Sequence, residues 1–193
     1  MITHLEGKLV EKNPTDVVID CNGVGYLLNI SLHTYSQIPD KEHIRLYTHL
    51  QVREDAHTLF GFSSLVEREV FRLLLSVSGI GASTARTMLS SLTPQQVQEA
   101  IAGEDVATIQ SIKGIGAKTA QRVIIDLKDK ILKTYNIDEV SLVKNNTSKD
   151  EALSALEVLG FARKQAEREV EKIVKAEPEA TVETIIKKAL KNL

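Results

Sequence analysis

The chain has 193 residues, 42% of them apolar, and a formal net charge of −2. That length suits two or three small domains, and no apolar run approaches the ~20 residues a membrane-spanning helix needs. Met1-Ile2-Thr3-His4-Leu5-Glu6-Gly7 lacks the basic-then-apolar order of a signal peptide, and the single Cys21 excludes an internal disulfide framework, so a reducing, cytoplasmic setting is expected.

Residues 1–63 read as strands: Leu5–Val10, Thr15–Cys21 after Asn13-Pro14, Tyr26–Ile30 after the turn-rich Asn22-Gly23-Val24-Gly25, His43–Val52 and Thr58–Phe62. Five short strands in some sixty residues predict a small OB-like β-barrel. Cys21 alternates with Val17 and Ile19, the pattern of a small core residue. Barrels of this type bind nucleic acid through an aromatic, basic face, but this block sets five basic residues against eight acidic ones and reads as a scaffold. Arg53-Glu54-Asp55-Ala56-His57 separates the last two strands. It fits a solvated hairpin tip, for which Asp55 is a turn former, and equally a negative tip that repels DNA.

Residues 64–135 read as helices: Leu65–Val77, Thr84–Ser91, Gln95–Ala102 behind an N-cap Thr93 and a Pro94 at N1, Asp105–Ile112, and Lys118–Tyr135. One phrase occurs here twice. Gly79-Ile80-Gly81-Ala82-Ser83-Thr84-Ala85 returns 35 residues later as Gly114-Ile115-Gly116-Ala117-Lys118-Thr119-Ala120, with one position of seven changed. Each copy links two helical runs, as in a helix-hairpin-helix. The first Gly lets the chain reverse at positive φ, the Ile plugs the turn into the core, and the second Gly admits a phosphate close to the backbone. The first-turn N–H groups of the next helix have no intrahelical acceptor and face an anion at the positive end of the helix dipole. Lys118 and Arg122, four apart on one helix face, add charge. The candidate DNA-backbone contacts are therefore Gly79, Gly81, Ser83, Thr84, Gly114, Gly116, Lys118, Thr119 and Arg122. The competing reading is a packing repeat with glycine caps and no ligand.

Charge favours the DNA reading, since residues 64–133 carry nine basic against seven acidic side chains. A P-loop is excluded because Ala117 precedes Lys118 where that motif needs Gly, and a dinucleotide fingerprint because Thr119-Ala120 stands where its third Gly should be.

Residues 136–147 lose periodicity, and Lys144-Asn145-Asn146-Thr147 looks like part of a flexible linker. Ser148-Lys149-Asp150-Glu151 has capping-box spacing. It opens a three-helix, UBA-like module over residues 148–193. Ala152, Leu153, Leu156 and Leu159 stripe the first helix, Gly160-Phe161 turns it, Ala166, Val170, Ile173 and Val174 stripe the second, and Ile185, Ile186, Ala189, Leu190 and Leu193 the third. Partner binding, with Leu156, Leu159 and Phe161 as candidates, competes here with a dimerisation or capping role. The five histidines, His4, His33, His43, His49 and His57, lie in the barrel block without ligand spacing. With no nucleophile–base pair, metal cluster or nucleotide loop in view, no catalysis, metal or cofactor is expected.

These blocks together resemble the RuvA family, the junction-binding subunits of the bacterial branch-migration complex. The likeness covers the chain in order: barrel, paired hairpins, tether, three-helix module. Thr48-His49-Leu50-Gln51-Val52-Arg53-Glu54-Asp55-Ala56-His57-Thr58-Leu59-Phe60-Gly61-Phe62 is similar to that family's acidic-pin hairpin, and Asn22-Gly23-Val24-Gly25-Tyr26 and the second hairpin match it too. The resemblance implies a homotetramer that takes one arm of a four-way (Holliday) junction per subunit, one or two tetramers per junction both being open. It implies that Glu54 and Asp55 form an acidic pin at the junction centre. It also implies a C-terminal domain that recruits a RuvB-type ATPase motor, and work alongside a RuvC-type resolvase in recombination and repair. Two positions depart from the family pattern: Ala82-Ser83 replaces the usual Pro-Lys in the first hairpin, and Lys113 stands where Pro is usual before the second. The rival readings are a fragment of a structure-selective nuclease or ligase, which needs further metal-binding carboxylates beside Glu54 and Asp55, and a protein-interaction adaptor whose hairpins are packing turns.

Overall fold

The computed structural model of the chain describes residues 2–141, 148–177 and 180–193. The chain divides into two units, residues 1–135 and 136–193.

The first unit starts with five strands, β1 (His4–Lys12), β2 (Asp16–Cys21), β3 (Val24–Ile30), β4 (His43–Val52) and β5 (His57–Phe62). They close into a barrel in the order β1-β2-β3-β5-β4, with β4 returning to β1. All pairings are antiparallel except β3 with β5. The expected OB-like barrel is thus present. Alternate residues turn inward, so Leu5, Val17, Ile19, Leu28, Ile30, Ile44 and Leu46 form its core, and the half-buried Cys21 packs against them. Gly7 is required where β1 crosses β2, because a Cβ there would lie 2.1 Å from the Asp20 carbonyl oxygen.

One element is additional to those the sequence pattern predicts. Between β3 and β4 a short helix, α1 (Leu32–Gln37), closes one side of the barrel core. Ser31 caps it by accepting a hydrogen bond from the Thr34 N–H, and Ile38 beyond its end joins the core. A six-residue helix is too short to show apolar periodicity, so the Ser31 cap is its one sequence signal.

The helical half follows as α2 (Leu65–Leu75), α3 (Ala82–Ser91), α4 (Pro94–Ala102), α5 (Val106–Gln110) and α6 (Ala117–Ser141). Thr93 and Gln96 complete a capping box on α4, with Pro94 in its first turn. α6 continues six residues beyond the expected end at Tyr135, into the segment expected as a linker. No Gly or Pro interrupts residues 117–141 to stop it. The Lys144–Thr147 part of that expectation lies outside the described residues.

Barrel and helices share packing. Phe60 and Phe62 of β5 belong to the helical core, where their rings lie 5.1 and 4.9 Å from that of Phe71 on α2. Polar links reinforce the seam: the Arg86 guanidinium donates to Asn29 Oδ1 at 2.8 Å, and the Leu32 N–H to Ser90 Oγ at 3.1 Å.

The second unit holds α7 (Ser148–Val158), α8 (Arg163–Ala176) and α9 (Val182–Asn192). Ser148 is already helical, and the residue before it lies outside the described ones, as does the cap it would form. Ala152, Leu153, Leu156, Ala166, Val170, Ile173, Ile185 and Ala189 fill the core between the three helices. Gly160, at φ 96°, ends α7. The Phe161 N–H reaches the Leu156 carbonyl at 3.1 Å, the long bond of a Schellman cap, and Phe161 folds onto the core. Two residues of the expected apolar stripes, Leu159 and Leu190, are exposed instead. Among the described residues no helix is long and apolar enough to cross a membrane.

Candidate nucleic-acid interface

The two hairpins share one backbone build. Gly79 and Gly114 take φ 95° and 93°, a region L side chains rarely enter. The Ile80 N–H donates to the Val77 carbonyl at 3.1 Å, and the Ile115 N–H to the Ile112 carbonyl at 3.1 Å. Ile80 and Ile115 are equally buried, at 6% exposure each, so both act as plugs. The equivalence reaches beyond the repeated phrase. At the same 35-residue spacing, buried Leu74, Val77, Ala85, Met88 and Leu89 correspond to buried Ile109, Ile112, Ala120, Val123 and Ile124. Ser76 Oγ and Ser111 Oγ each donate, at 2.7 Å, to the carbonyl three residues back.

This build leaves amides facing outward. The first intrahelical bonds of α3 and α6 are those from Ala85 to Gly81 and from Ala120 to Gly116, both 2.9 Å. The N–H groups of Ala82, Ser83 and Thr84, and of Ala117, Lys118 and Thr119, precede them. Gly81 is the N-cap of α3 and makes no side-chain cap bond, and Gly116 has no side chain to offer one. A Cβ on either Gly81 or Gly116 would meet nothing within 4 Å, so the space in front of both turns is open. Ser83 and Lys118 are exposed and Thr84 and Thr119 half-exposed beside it. The long Arg122 side chain on α6 brings its Nη1 to 3.5 Å from the Ser78 carbonyl, so the two hairpins lie side by side on one surface.

The basic side chains of this half serve two purposes. Arg86 holds the barrel, Arg68 donates to the Thr3 carbonyl at 2.9 Å and lies over the Tyr47 ring, and Arg72 pairs with Glu69. Lys128 pairs with Glu104, which pushes the lysine pKa up and the carboxyl pKa down through a hydrogen bond and charge attraction. Lys113 and Lys118, flanking the second hairpin, have no carboxylate partner among the described residues. Net charge therefore understates what the hairpins offer, because the unpaired cations sit where an anion would bind.

Glu54 and Asp55 occupy the β4–β5 tip, where the Arg53 N–H donates to the Ala56 carbonyl at 2.9 Å and every residue from Arg53 to His57 is exposed. His49, on the same strand but half-buried, meets the Phe71 ring edge-on at 5.6 Å. Burial, then Arg72 and Arg68 nearby, hold its pKa below the ordinary histidine value. A neutral packing residue is what that environment favours.

Glu67 is a residue that the sequence pattern does not single out. It is fully buried at the seam of barrel and helices. One carboxylate oxygen accepts from Ser31 Oγ at 2.5 Å; the other accepts from Thr34 Oγ1 at 2.7 Å, Ser63 Oγ at 3.0 Å and the Ser63 N–H at 3.1 Å. Ser64-x-x-Glu67 carries a hint, being the spacing of a capping box. Half of that box forms, with the Glu67 N–H donating to Ser64 Oγ at 3.1 Å, while the carboxylate turns to α1.

In the C-terminal unit the three candidate contacts separate. Leu156 is fully buried, so it supports the core and cannot itself be a contact surface; Leu159 is 58% exposed and Phe161 half-exposed. Val158, which falls off the apolar stripe and so gives no sequence signal, is the most exposed of the group at 87%.

Comparison with known proteins gives three family matches in order along the chain: the RuvA N terminal domain over residues 1–61, a SAM-like helix-hairpin-helix tandem over 71–129, and the RuvA C-terminal domain over 148–193. The chain is 68% identical to the Holliday junction branch migration complex subunit RuvA of Christiangramia forsetii and 66% identical to that of Flavobacterium psychrophilum, each across the full length of both chains. It is 48% identical to the subunit of the same name from Bacteroides thetaiotaomicron, again over the whole of both.

Proposed function

The chain belongs to the RuvA family, and from that membership we propose that it binds four-way DNA junctions and loads a motor for branch migration. The observation that carries the reading is the pair of equivalent hairpins, each presenting free helix-terminal amides and an open glycine to one surface. Such amides recognise phosphate and not base, so the site grips duplex of any sequence.

Preference for a junction then comes from assembly. Four subunits in closed cyclic symmetry present four hairpin pairs to four arms, and each pair, weak alone, acts at high effective concentration. Glu54 and Asp55 gather at the centre as the pin, where their charge repels phosphates and parts the strands that cross. Residues 1–63 act as scaffold and pin, 64–135 as the DNA-binding part, and the C-terminal module from residue 148 as the arm that recruits a RuvB-type ATPase. Val158, Leu159 and Phe161 are the apolar groups it offers. The chain acts as a cytoplasmic, non-catalytic subunit, with a RuvC-type resolvase as the partner that cuts.

The test is a titration of a synthetic four-way junction and a linear duplex of matched sequence at several salt concentrations. Tight junction binding that weakens with salt supports the reading; equal affinity for both substrates refutes the junction, and absence of binding returns the hairpins to packing turns. Junction cleavage by the purified chain with a divalent metal would favour the nuclease reading instead. Two variants probe the parts. Glu54→Lys with Asp55→Lys is expected to narrow the preference for junction over duplex by about tenfold or more, by adding duplex affinity where repulsion acted; an unchanged ratio removes the pin. Truncation before Ser148 is expected to leave junction affinity intact and abolish stimulation of the motor's ATPase, and surviving stimulation would place the recruiting surface elsewhere.

A further inference from the structure

The backbone makes the two hairpins equivalent, but their side chains do not. At corresponding positions the first carries Ser78 and Ser83 where the second carries Lys113 and Lys118, so the first copy has no cation of its own in its turn. Arg122 has no counterpart either, since the residue 35 positions earlier is Thr87, whose hydroxyl donates to the Ser83 carbonyl at 3.0 Å. Arg122 grows from the helix of the second hairpin, yet its guanidinium lies at the Ser78 carbonyl of the first. That hydrogen bond is long, at 3.5 Å, and exposed, so a phosphate can take the guanidinium from it at little cost. No carboxylate pairs with Arg122 among the described residues.

The geometry points to Arg122 as a lent cation: it completes the phosphate site of the first hairpin, while Lys113 and Lys118 serve the second. The tandem is a composite site in which one charge is shared across the pair. This inference rests on the DNA-binding reading above and specifies how its two halves divide the work. A guanidinium suits that place better than a lysine, because its planar fork can hold one phosphate in bidentate fashion while the free amides of α3 hold the same group from the other side.

The experiment is a double-mutant cycle on the full-length chain, with a four-way junction as probe, at several salt concentrations. Arg122→Gln and Lys118→Gln are each expected to weaken binding about tenfold or more. Each is also expected to lower the slope of log affinity against log salt by about one for every phosphate no longer neutralised. Ser83→Lys supplies the first hairpin with its own cation. Placed on Arg122→Gln it is expected to restore most of the affinity and the slope; placed on Lys118→Gln it adds only what it adds to the unaltered chain. Equal benefit in both backgrounds, or rescue of Lys118→Gln alone, overturns the shared cation while leaving the DNA-binding reading intact. An unaltered chain that binds no DNA overturns that reading itself and this inference with it. All three positions are exposed, so a circular dichroism melt matching the unaltered chain verifies that affinity, not folding, has been measured.

Discussion

Glu67→Ala is expected to destabilise residues 1–135 by about 3 to 5 kcal/mol. The effect has two parts. A buried void replaces the side chain, and the donors that converge on its carboxylate, the buried Ser31 Oγ and Thr34 Oγ1 and the half-buried Ser63 Oγ and N–H, are left without it. Hydroxyls can turn toward other acceptors, whereas the Ser63 amide, its direction fixed by the backbone, keeps only its longer bond of 3.3 Å to Thr34 Oγ1. Glu67→Gln discriminates between volume and charge. It keeps the size and one acceptor for the Ser63 amide, and Ser31 Oγ can accept from the new NH2, so its cost is expected to be roughly half that of alanine. Urea denaturation followed by circular dichroism measures both. An alanine variant within about 1 kcal/mol of the unaltered chain would mean that the network contributes no more than an ordinary surface contact. The variant also bears on DNA binding: α2 runs from this network directly into the first hairpin, so loosening it frees the hairpin from the barrel.

Gly81→Val with Gly116→Val is expected to lower affinity for both junction and duplex by about two orders of magnitude, at a stability cost of only ~1 kcal/mol per site. These are the informative glycines because neither has positive φ and a Cβ on either enters open space. The added side chain therefore disturbs the approach of a ligand and not the fold. Gly79 and Gly114, at φ 95° and 93°, cannot serve this purpose, since a β-branched residue there strains the turn whether or not DNA is present. A folded double variant with unaltered affinity would exclude close backbone approach as the mode of binding.

The features most legible in the sequence are those that repeat or alternate. The strands show through period-two burial at Val17/Ile19 and Leu28/Ile30, and the hairpins through a phrase written twice whose glycines need the conformation they have. What stays hidden depends on partners distant in sequence. Glu67 reads as a capping residue until α1, over thirty positions earlier, is folded against it. Arg86 counts as one more cation for DNA until Asn29 is seen to hold it. Leu156 and Val158 differ by two positions, and only the packing of α7 shows the first to be interior and the second to be surface. The length of α6 is obscured for another reason: loss of apolar periodicity reads as loss of helix, although no residue capable of stopping the helix is present.

The closure of the barrel has a consequence for the growing chain on the ribosome. β1 finds its second neighbour in β4, with Lys8 opposite His43 and His4 opposite Tyr47. At synthesis rates of about 5–20 residues per second, the N-terminal strand waits roughly 2 to 8 s before its edge can be covered. Phe60 and Phe62 are made later and stay bare only until the helices that cover them follow, beginning with Phe71 of α2. The nascent protein is thus first an open sheet with an unpaired edge and then a sheet with no lid over its aromatic residues, the forms of chain most prone to associate with others of their kind. Fragments ending between Val52 and Leu75, whether from stalled translation or proteolysis, would therefore be expected to aggregate, whereas those ending after α6 contain every element the barrel leans on.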